Sequence, residues 1–428
     1  MSDQHPDPHD SRRCAPPSDP PPPTPTDPLR PGTLPSLTRL GWDEAWSATL
    51  ARHLERRPRG PEGGPPSSRT AAPVLLGRVV RADRGACDVL LPEPSPAGHR
   101  RVHGVRWTAA LSRAAAADPE RAPATGDWVL LGRPDRPEGR AADDEPRRDE
   151  PGWTVGEVLE RRTAVRRAEV DPGSSRSQVL AANADVVAVV EAMPAVPGRL
   201  ERLLALAWSS GAQPVVVLTK ADLHGDPVDA VARVTVVCPG VDVLAVASPE
   251  GHGLGPLRER LAGGLTLALV GASGVGKSTL LNALVTGGLP GAEVMRTQEL
   301  RSDGKGRHTT VTRELHLAPH GGAVLDTPGV RVVGLSGDEA LDDVFPDVLE
   351  LAARCRFADC AHRTEPGCAV LAAIATGDLP ERRLASFRTL EREALARAVR
   401  TDARLRAAQR RELTVRQRAY RQRPDKKR

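Results

Sequence analysis

Residues 271–278 read Gly271-Ala272-Ser273-Gly274-Val275-Gly276-Lys277-Ser278. An apolar run over residues 265–270 precedes this loop and a helical pattern over residues 277–284 follows it, which predicts a strand, a P-loop and a helix. In that setting the loop N–H groups and the helix N-terminus bind phosphate oxygens, Lys277 reaches the β- and γ-phosphates, and Ser278 binds Mg²⁺. The sequence therefore predicts a nucleotide site in an α/β domain, without choosing between ATP and GTP.

A second motif, Thr219-Lys220-Ala221-Asp222, follows the apolar run 214–218 and makes that choice. A carboxylate at Asp222 accepts hydrogen bonds from N1 and N2 of guanine and rejects adenine, while Lys220 packs along the base. Thr219 stands where the usual motif has Asn, and one hydroxyl cannot donate and accept as an amide does. We expect guanine preference through Asp222, with a lower affinity than Asn would give.

A third motif, Asp326-Thr327-Pro328-Gly329, closes the short apolar run 323–325. Asp326 in this position organises Mg²⁺ through water, and the Gly329 N–H donates to a γ-phosphate and senses its loss. Ras-like GTPases place a water-orienting Gln next, but this chain has Val330, which forms no hydrogen bond with water. Hydrolysis must use another group, or be slow until a partner completes the site.

The candidate for that group lies in Gly304-Lys305-Gly306-Arg307-His308-Thr309-Thr310, where the first switch segment is expected. Thr309 or Thr310 is a candidate Mg²⁺ ligand. His308 can orient or deprotonate water, although a lone loop histidine is more often simply exposed. We predict His308 as the catalytic residue.

The order of these motifs is unusual, because the base-reading motif precedes the P-loop, whereas it follows the phosphate loops in an ordinary GTPase. This order predicts a circularly permuted nucleotide-binding domain over residues 174–335. Buried parallel strands and intervening helices are expected, and in such an open sheet ligands bind at the carboxyl ends of strands. The predicted strands are 184–190, 214–218, 241–246 and 265–270, and the helices are 199–210, 256–261 and 277–284.

Residues 74–170 show a different pattern of short alternating strands separated by turn-forming stretches. Five strands in about a hundred residues indicate a small β-barrel such as an OB-fold. Aromatic residues make up only 2% of the chain, so contacts to phosphates or protein are expected in preference to base stacking. The predicted strands are 74–80, 87–91, 101–105, 127–131 and 152–155.

Four potential metal ligands cluster near the C-terminus with the spacing Cys355-x4-Cys360-x-His362-x5-Cys368. Three thiols and one imidazole complete a tetrahedral Zn²⁺ shell with no open position, so one structural zinc is predicted. It would stabilise a helical domain over residues 336–400 that has little core of its own. The alternative is a set of buried, reduced cysteines.

The ends of the chain differ from its centre in composition. Residues 1–73 are rich in proline and predict a disordered arm with a short helix over residues 42–57. Residues 401–428 hold eleven Lys and Arg against three acidic residues, in a chain of net charge +5. This basic tail predicts a polyanionic partner. No leader or membrane span is apparent, so we expect a cytoplasmic protein that does not bind membranes.

Together these residues resemble the small-ribosomal-subunit biogenesis GTPases of the RsgA (YjeQ) family. The resemblance runs from about Gly77 to beyond Phe387. Its motifs are Gly126-Asp127-Trp128-Val129, Asn183-Ala184-Asp185, Gly274-Val275-Gly276-Lys277-Ser278-Thr279-Leu280-Leu281-Asn282, residues 304–310, residues 326–329 and the cysteine cluster through Glu365-Pro366-Gly367-Cys368.

The resemblance implies an OB barrel, a permuted GTPase domain and a C-terminal zinc domain. It also implies a role late in maturation of the small ribosomal subunit, which stimulates hydrolysis of GTP to GDP. Residues 271–279, Thr279 included, would bind nucleotide and His308 would be catalytic. Val330 would be the hydrophobic substitution typical of such GTPases. The expected partners are the small subunit and its rRNA, with the protein acting as a monomer.

Thr219 and the proline-rich arm depart from the family pattern. Two other functions stay open from the sequence. One is a nucleotide-gated rRNA-binding scaffold in which hydrolysis is incidental, which Val330 suggests. The other is an ATP-dependent enzyme, which Thr219 suggests; the order of the motifs and Asp222 favour guanine instead.

Overall fold

The computed structural model describes residues 35–56, 75–93, 98–132, 152–168, 177–287, 313–319, 321–327 and 339–401. The strands are β1 (Leu75–Asp83), β2 (Ala86–Pro92), β3 (His99–Trp107), β4 (Trp128–Gly132), β5 (Thr154–Val158), β6 (Ala164–Ala168), β7 (Ser177–Ala182), β8 (Val186–Ala192), β9 (Gln213–Thr219), β10 (Asp242–Ala245), β11 (Thr266–Val270), β12 (Glu314–Leu317) and β13 (Ala323–Asp326). The helices are α1 (Pro35–Arg39), α2 (Glu44–Glu55), α3 (Ala109–Ala117), α4 (Pro197–Ser209), α5 (Pro227–Val237), α6 (Gly255–Ala262), α7 (Lys277–Val285), α8 (Glu339–Val344), α9 (Pro346–Ala352), α10 (Ala369–Thr376) and α11 (Glu381–Thr401). None of these helices is both long and apolar enough to cross a lipid bilayer.

Strands β1 to β5 form a closed barrel with the strand order β1-β2-β3-β5-β4. Its pairs are antiparallel except β3 with β5. Alternate residues of the strands point inward, so the interior is filled by fully buried side chains such as Val79, Val89, Val105, Val129 and Val155. All five predicted barrel strands are present, and the OB-type barrel is confirmed.

A six-stranded sheet with the order β10-β9-β8-β11-β13-β12 forms the second unit. Every pair is parallel except β12 with β13, which places an antiparallel strand at one edge. The central strands are buried on both faces because α4 and α5 cover one side and α6 and α7 the other. The four predicted parallel strands are confirmed, as is the permuted α/β architecture.

Four elements of this region were not predicted from the sequence. The hairpin of β6 and β7 follows the barrel, α5 lies between β9 and β10, and β12 precedes β13. Strand β6 contains Arg166 and Arg167, and its charges conceal the apolar alternation that normally identifies a strand. Helix α5 is rich in valine, a residue more typical of strands.

A buried arginine, Arg78 of β1, joins the barrel to its neighbours. Its guanidinium donates hydrogen bonds to the Leu40 carbonyl and, at 2.8 Å, to the Thr266 hydroxyl, and it lies 5.3 Å from the centroid of the Trp128 ring. Burial lowers the pKa of Arg78 to about 10, which leaves it protonated at neutral pH. Because Thr266 is the first residue of β11, the barrel contacts the P-loop strand directly.

Helices α1 and α2 lie within the predicted N-terminal arm, of which residues 1–34 and 57–73 are outside the described residues. Asp43 caps α2 by accepting from the Trp46 N–H at 2.7 Å, and it pairs with Arg162, which lowers the pKa of this carboxyl. Trp42 packs edge-on against Trp128 with ring centroids 4.7 Å apart. This indole contact explains why a proline-rich region contributes to the main core.

The barrel also contacts edge strand β12 through an ion-pair network. Arg101 of β3 donates to Glu314 at 2.6 Å and to Asp88 of β2 at 2.9 Å. Asp88 additionally accepts from the Gly104 N–H at 3.0 Å, and its pKa is lowered by these partners although burial opposes the shift. The barrel therefore holds the strand that follows the predicted catalytic loop.

The C-terminal module of α8 to α11 docks on α4 through a second buried arginine, Arg383 of α11. Its guanidinium donates to Glu201 of α4 at 2.8 Å and to Asp347 of α9 at 2.9 Å, and it lies 4.4 Å from the Phe345 ring centroid. Both Arg383 and Glu201 are almost completely buried. The predicted basic tail beyond Thr401 lies outside the described residues.

We expect Arg383→Ala to lower the free energy of unfolding by about 3–5 kcal/mol, because it leaves the Glu201 carboxylate buried without its cation. The exposed neighbour Arg382 provides the matched control, and Arg382→Ala should change stability by less than about 0.5 kcal/mol. Urea denaturation of the two variants measures the difference. Equal losses would show that the buried ion pair does not hold the module on α4.

Candidate nucleotide site and metal centre

The P-loop lies where the sequence predicts it, between β11 and α7. Gly276 precedes α7 with φ +98°, a backbone conformation that L side chains rarely adopt. A Cβ at Gly271 would lie 2.3 Å from the Val190 carbonyl oxygen, so only glycine fits against β8. These glycines allow the loop to turn tightly, which leaves its N–H groups and the start of α7 to bind an anion.

Lys277 lies across the loop and is largely buried. Its ammonium donates to the Gly271 carbonyl at 3.0 Å and to the Ala272 carbonyl at 2.7 Å. Burial lowers the pKa of Lys277, while the charge of Asp326 opposes the shift. The side chain thus holds a positive charge over the phosphate-binding loop, with loop carbonyls as its ligands.

Asp326 ends β13 beside β11, and its neighbour Thr327 donates to the Leu269 carbonyl at 2.6 Å. The Asp326 carboxyl is buried, and its Oδ1 has no hydrogen-bond partner within the part of the chain that the structure describes. Burial raises the pKa of Asp326 to about 6, against the opposing charge of Lys277. An orphaned buried carboxylate oxygen suits a hydrated divalent cation, as does the half-buried Ser278 hydroxyl at the start of α7.

The base-reading motif follows β9 at the same edge of the sheet. Lys220 has φ +59°, and the turn is fixed by a hydrogen bond of 3.2 Å from the Ala221 N–H to the Val246 carbonyl. The Asp222 carboxylate is exposed and therefore accessible to a ligand. The backbone places the neighbouring pair Ala247-Ser248 beside this turn, and the buried Ser248 hydroxyl has no partner among the described residues.

Two side chains of the base-reading motif contact the P-loop directly. The Thr219 hydroxyl donates to the Val275 carbonyl, and the Lys220 ammonium donates to the Gly274 carbonyl at 3.1 Å. The structure therefore brings together the motifs at 219–222, 271–279 and 326–327. His308, Thr309, Thr310, Gly329 and Val330 lie outside the described residues.

Glu191 lies beside the base-reading motif, and the sequence analysis did not identify it. Its buried carboxylate at the end of β8 accepts from Arg199 at 2.9 Å, and its carbonyl lies 3.3 Å from the Thr219 hydroxyl. The same contact raises the pKa of Arg199. An acidic residue inside the apolar run 186–192 was the available signal, since such a charge is retained in a strand only when it is paired.

The four predicted metal ligands converge in the C-terminal module. The sulfur atoms of Cys355, Cys360 and Cys368 and one ring nitrogen of His362 all lie within 4.8 Å of one another. The Sγ atoms of Cys355 and Cys368 are 3.8 Å apart, and each lies within 3.6 Å of His362 Nδ1. Three thiols and an imidazole at these separations can hold a metal ion.

The loop that carries these ligands is fixed by its own hydrogen bonds. The Glu365 carboxylate accepts from its own N–H and from the N–H groups of Thr364, Arg363 and Ala361, and these hydrogen bonds lower the pKa of Glu365 to about 2. His362 adopts φ +55°, and its carbonyl accepts from Arg388 of α11. These hydrogen bonds constrain the backbone of the loop that carries the four candidate ligands.

Comparison with known proteins places the chain in a family. The family model described as RsgA GTPase matches residues 158–336. A Streptomyces avermitilis protein named small ribosomal subunit biogenesis GTPase RsgA is 46% identical over 383 residues, which cover 88% of this chain and 90% of the relative. The chain belongs to the RsgA GTPase family. The resemblance noted in the sequence is confirmed, and the protein is a GTP-hydrolysing enzyme.

Other RsgA relatives agree with this assignment. The Streptomyces coelicolor protein of the same name is 45% identical, with 88% of this chain and 92% of the relative covered. The crystal structure of YjeQ from Thermotoga maritima matches 75% of this chain and 99% of its own, at 24% identity and a TM-score of 0.50. That likeness supports the fold, and the matches to RsgA proteins extend over both the barrel and the metal module.

We expect Asp326→Asn to stabilise the nucleotide-free and magnesium-free RsgA chain at pH 7. Because burial raises the pKa of Asp326 to about 6, the native state binds more protons than the unfolded state between about pH 4 and pH 6. The contribution of the Asp326 carboxyl to the free energy of unfolding therefore falls as the pH rises through that window. The gain from the substitution should be about 1–3 kcal/mol at pH 7 and should vanish below about pH 4.

Thermal unfolding of wild type and Asp326→Asn between pH 4 and 8 measures this dependence. Asp222→Asn is the control, because it neutralises an exposed carboxylate at the same edge of the sheet. It should leave the pH profile unchanged. A constant difference between Asp326→Asn and wild type across the range would contradict the raised pKa.

Proposed function

We propose that this GTPase binds the immature small ribosomal subunit in its GTP form, hydrolyses GTP to GDP and phosphate, and then leaves the subunit. The observation that carries the proposal is the meeting of P-loop, base-reading motif and Asp326 at one edge of the sheet. The partner is supported by the names of the two Streptomyces relatives, each of which matches 88% of the chain.

In this proposal the nucleotide lies along the edge formed by β9, β11 and β13. The N–H groups of residues 271–276 and the start of α7 bind the phosphates, with Lys277 on the β- and γ-phosphates and Thr279 completing the first helical turn. Asp222 binds the guanine N1 and N2 donors, and Lys220 lies along the base. Gly329 contacts the γ-phosphate and so distinguishes GTP from GDP.

Mg²⁺ fits the residues that surround this position. The Ser278 hydroxyl would bind the ion directly, with Thr309 or Thr310 as a further ligand, and Asp326 would hold its water. When bound, the ion would neutralise negative charge that develops during phosphoryl transfer. The assignment is supported by Asp326 Oδ1, a buried carboxylate oxygen that has no hydrogen-bond partner among the described residues.

His308 is the residue proposed to activate the attacking water. Val330 occupies the position of the water-orienting Gln and has no side-chain group that can form a hydrogen bond. His308 would orient or deprotonate the attacking water. We propose that the small subunit positions the segment that carries His308. The Arg101–Glu314 ion pair supports such a link, since it holds the strand that follows this segment against the barrel.

The barrel and the basic tail are proposed to contact rRNA. Arg100 and Arg106 are exposed on β3, and eleven Lys and Arg lie in residues 401–428. We propose a cytoplasmic monomer composed of an arm (1–73), a barrel (74–170), a permuted GTPase domain (174–335), a metal module (336–400) and the tail (401–428). The arm has no assigned role in this scheme.

GTP turnover with and without purified small ribosomal subunits tests the proposed function. We expect the subunits to stimulate hydrolysis, and purified large subunits, as the control, to have no effect. His308→Ala should lower the stimulated rate by at least about 100-fold, the contribution of a positioned general base. Its affinity for a fluorescent GTP analogue should stay within about twofold of wild type, because a base acts on water and not on binding.

Two results would contradict the proposal. Wild-type turnover in His308→Ala would exclude this residue from catalysis. Equal rates of GTP hydrolysis with and without small subunits would exclude the small subunit as the partner that stimulates hydrolysis. That result would favour a scaffold whose hydrolysis is incidental.

We propose that the metal of the C-terminal module is one structural Zn²⁺. Three thiolates and one imidazole form a closed tetrahedral set, which suits zinc and leaves no open position for catalysis. Cys368 also caps α10, where its sulfur accepts from the Leu371 N–H at 3.4 Å. The ion would hold the loop of residues 355–368 to α10.

We expect the purified protein to contain one zinc ion per chain, and Cys360→Ala to lose it together with part of the helical signal. Cys238→Ala is the matched control, since Cys238 is a buried cysteine outside the cluster. Elemental analysis and circular dichroism measure the two effects. Full zinc content in Cys360→Ala, or a different metal in wild type, would overturn the assignment.

A further inference from the structure

The hydroxyl of Thr219 has two backbone acceptors as neighbours. This residue is almost completely buried at the end of β9. Its Oγ1 donates to the Val275 carbonyl of the P-loop and lies 3.3 Å from the Glu191 carbonyl at the end of β8. A threonine hydroxyl has a single hydrogen, and both neighbours can only accept it. That hydrogen is therefore committed to the protein backbone.

Guanine presents mostly acceptors away from the edge that Asp222 would bind. N7 and O6 both accept hydrogen bonds, so a protein group that contacts either atom must donate. An Asn amide at position 219 has two hydrogens, which would allow one to reach the backbone and the other to reach the base. Thr219 has no second hydrogen to offer.

The surroundings of Thr219 indicate what the residue does instead. A Cβ added at Gly276 would lie 3.3 Å from Thr219 Oγ1 and 3.6 Å from its methyl carbon, so this side chain packs against the P-loop backbone. The next residue, Lys220, donates to the Gly274 carbonyl. Consecutive side chains thus reach consecutive P-loop carbonyls, at Gly274 and Val275, and connect the base-reading turn to the phosphate-binding loop.

We infer that Thr219 is a positioning residue that ties the base-reading turn to the P-loop and donates no hydrogen bond to guanine. Discrimination of GTP from ATP then rests on Asp222 and the N1 and N2 donors, without recognition of N7 by residue 219. This inference rests on the proposed binding of GTP and specifies how that site selects its base.

The test uses 7-deaza-GTP, in which a C–H group replaces N7, with the full-length wild-type protein. Competition against a fluorescent guanine nucleotide gives the dissociation constants of GTP, 7-deaza-GTP and ATP. We expect GTP and 7-deaza-GTP to bind within threefold of each other in the wild type. Thr219→Asn should bind GTP about 3- to 10-fold more tightly than 7-deaza-GTP, the effect of one neutral hydrogen bond.

Two further variants separate positioning from base contact. Thr219→Val keeps the shape but removes the hydroxyl, and it should weaken GTP and 7-deaza-GTP binding by the same factor because the connection to the P-loop is lost. Asp222→Ala should instead reduce the preference for GTP over ATP at least 10-fold. An equal loss of GTP and ATP binding in Asp222→Ala would contradict the role given to this carboxylate.

The wild-type measurement alone can overturn the inference, so it does not depend on the folding of any variant. A preference of more than threefold for GTP over 7-deaza-GTP, together with strong selectivity against ATP, would show that N7 is recognised while leaving the proposed GTPase intact. A wild-type protein that binds ATP as well as GTP would instead refute the proposed function, and the inference with it.

Discussion

The parallel alignment of β8, β9, β11 and β13 is the constraint on which the site depends. The register pairs Leu269 with Asp326 and Val270 with Val189, so β11 and β13 end at nearly the same level. Strands β8 and β9 continue three residues further and end together, where Ala192 pairs with Thr219. Motifs from distant parts of the chain meet there because of strand direction, whatever their order in sequence. Circular permutation therefore leaves the site intact.

The electrostatics of this edge indicate a site that is organised for a charged ligand. Lys277 and Asp326 are both buried. Burial lowers the pKa of Lys277 and raises the pKa of Asp326, so it favours the neutral form of each group. Their mutual attraction opposes those shifts without cancelling them. Two loop carbonyls stabilise the ammonium, while one oxygen of the carboxylate lacks a partner among the described residues. A magnesium-bound nucleotide would supply the charges that this arrangement lacks.

The sequence predicts the elements of this protein better than it predicts their contacts. Alternating and continuous apolar runs identified the barrel and the sheet, and the spacing of the cysteine cluster identified the metal centre, because these signals are local. Arg78 and Arg383 gave no such signal, since an arginine in a strand or helix usually marks a solvent face. Likewise, the motif predicts that Thr219 lies near the base, but only the fold reveals its bond to the Val275 carbonyl.

The permuted order has a mechanical consequence that involves Arg383. The chain runs from Asp326, beside the P-loop, through residues 328–338 into the metal module. The same module is held on α4 by the buried Arg383–Glu201 pair, and α4 connects β8 to β9, the strand that carries the base-reading motif. The module is thus attached to both the phosphate side and the base side of the sheet. A displacement of the metal module relative to the sheet must either move α4 as well or break the buried Arg383–Glu201 pair, which is strongly unfavourable. Coupling between nucleotide state and the module is therefore expected to involve α4, and not the covalent connection alone.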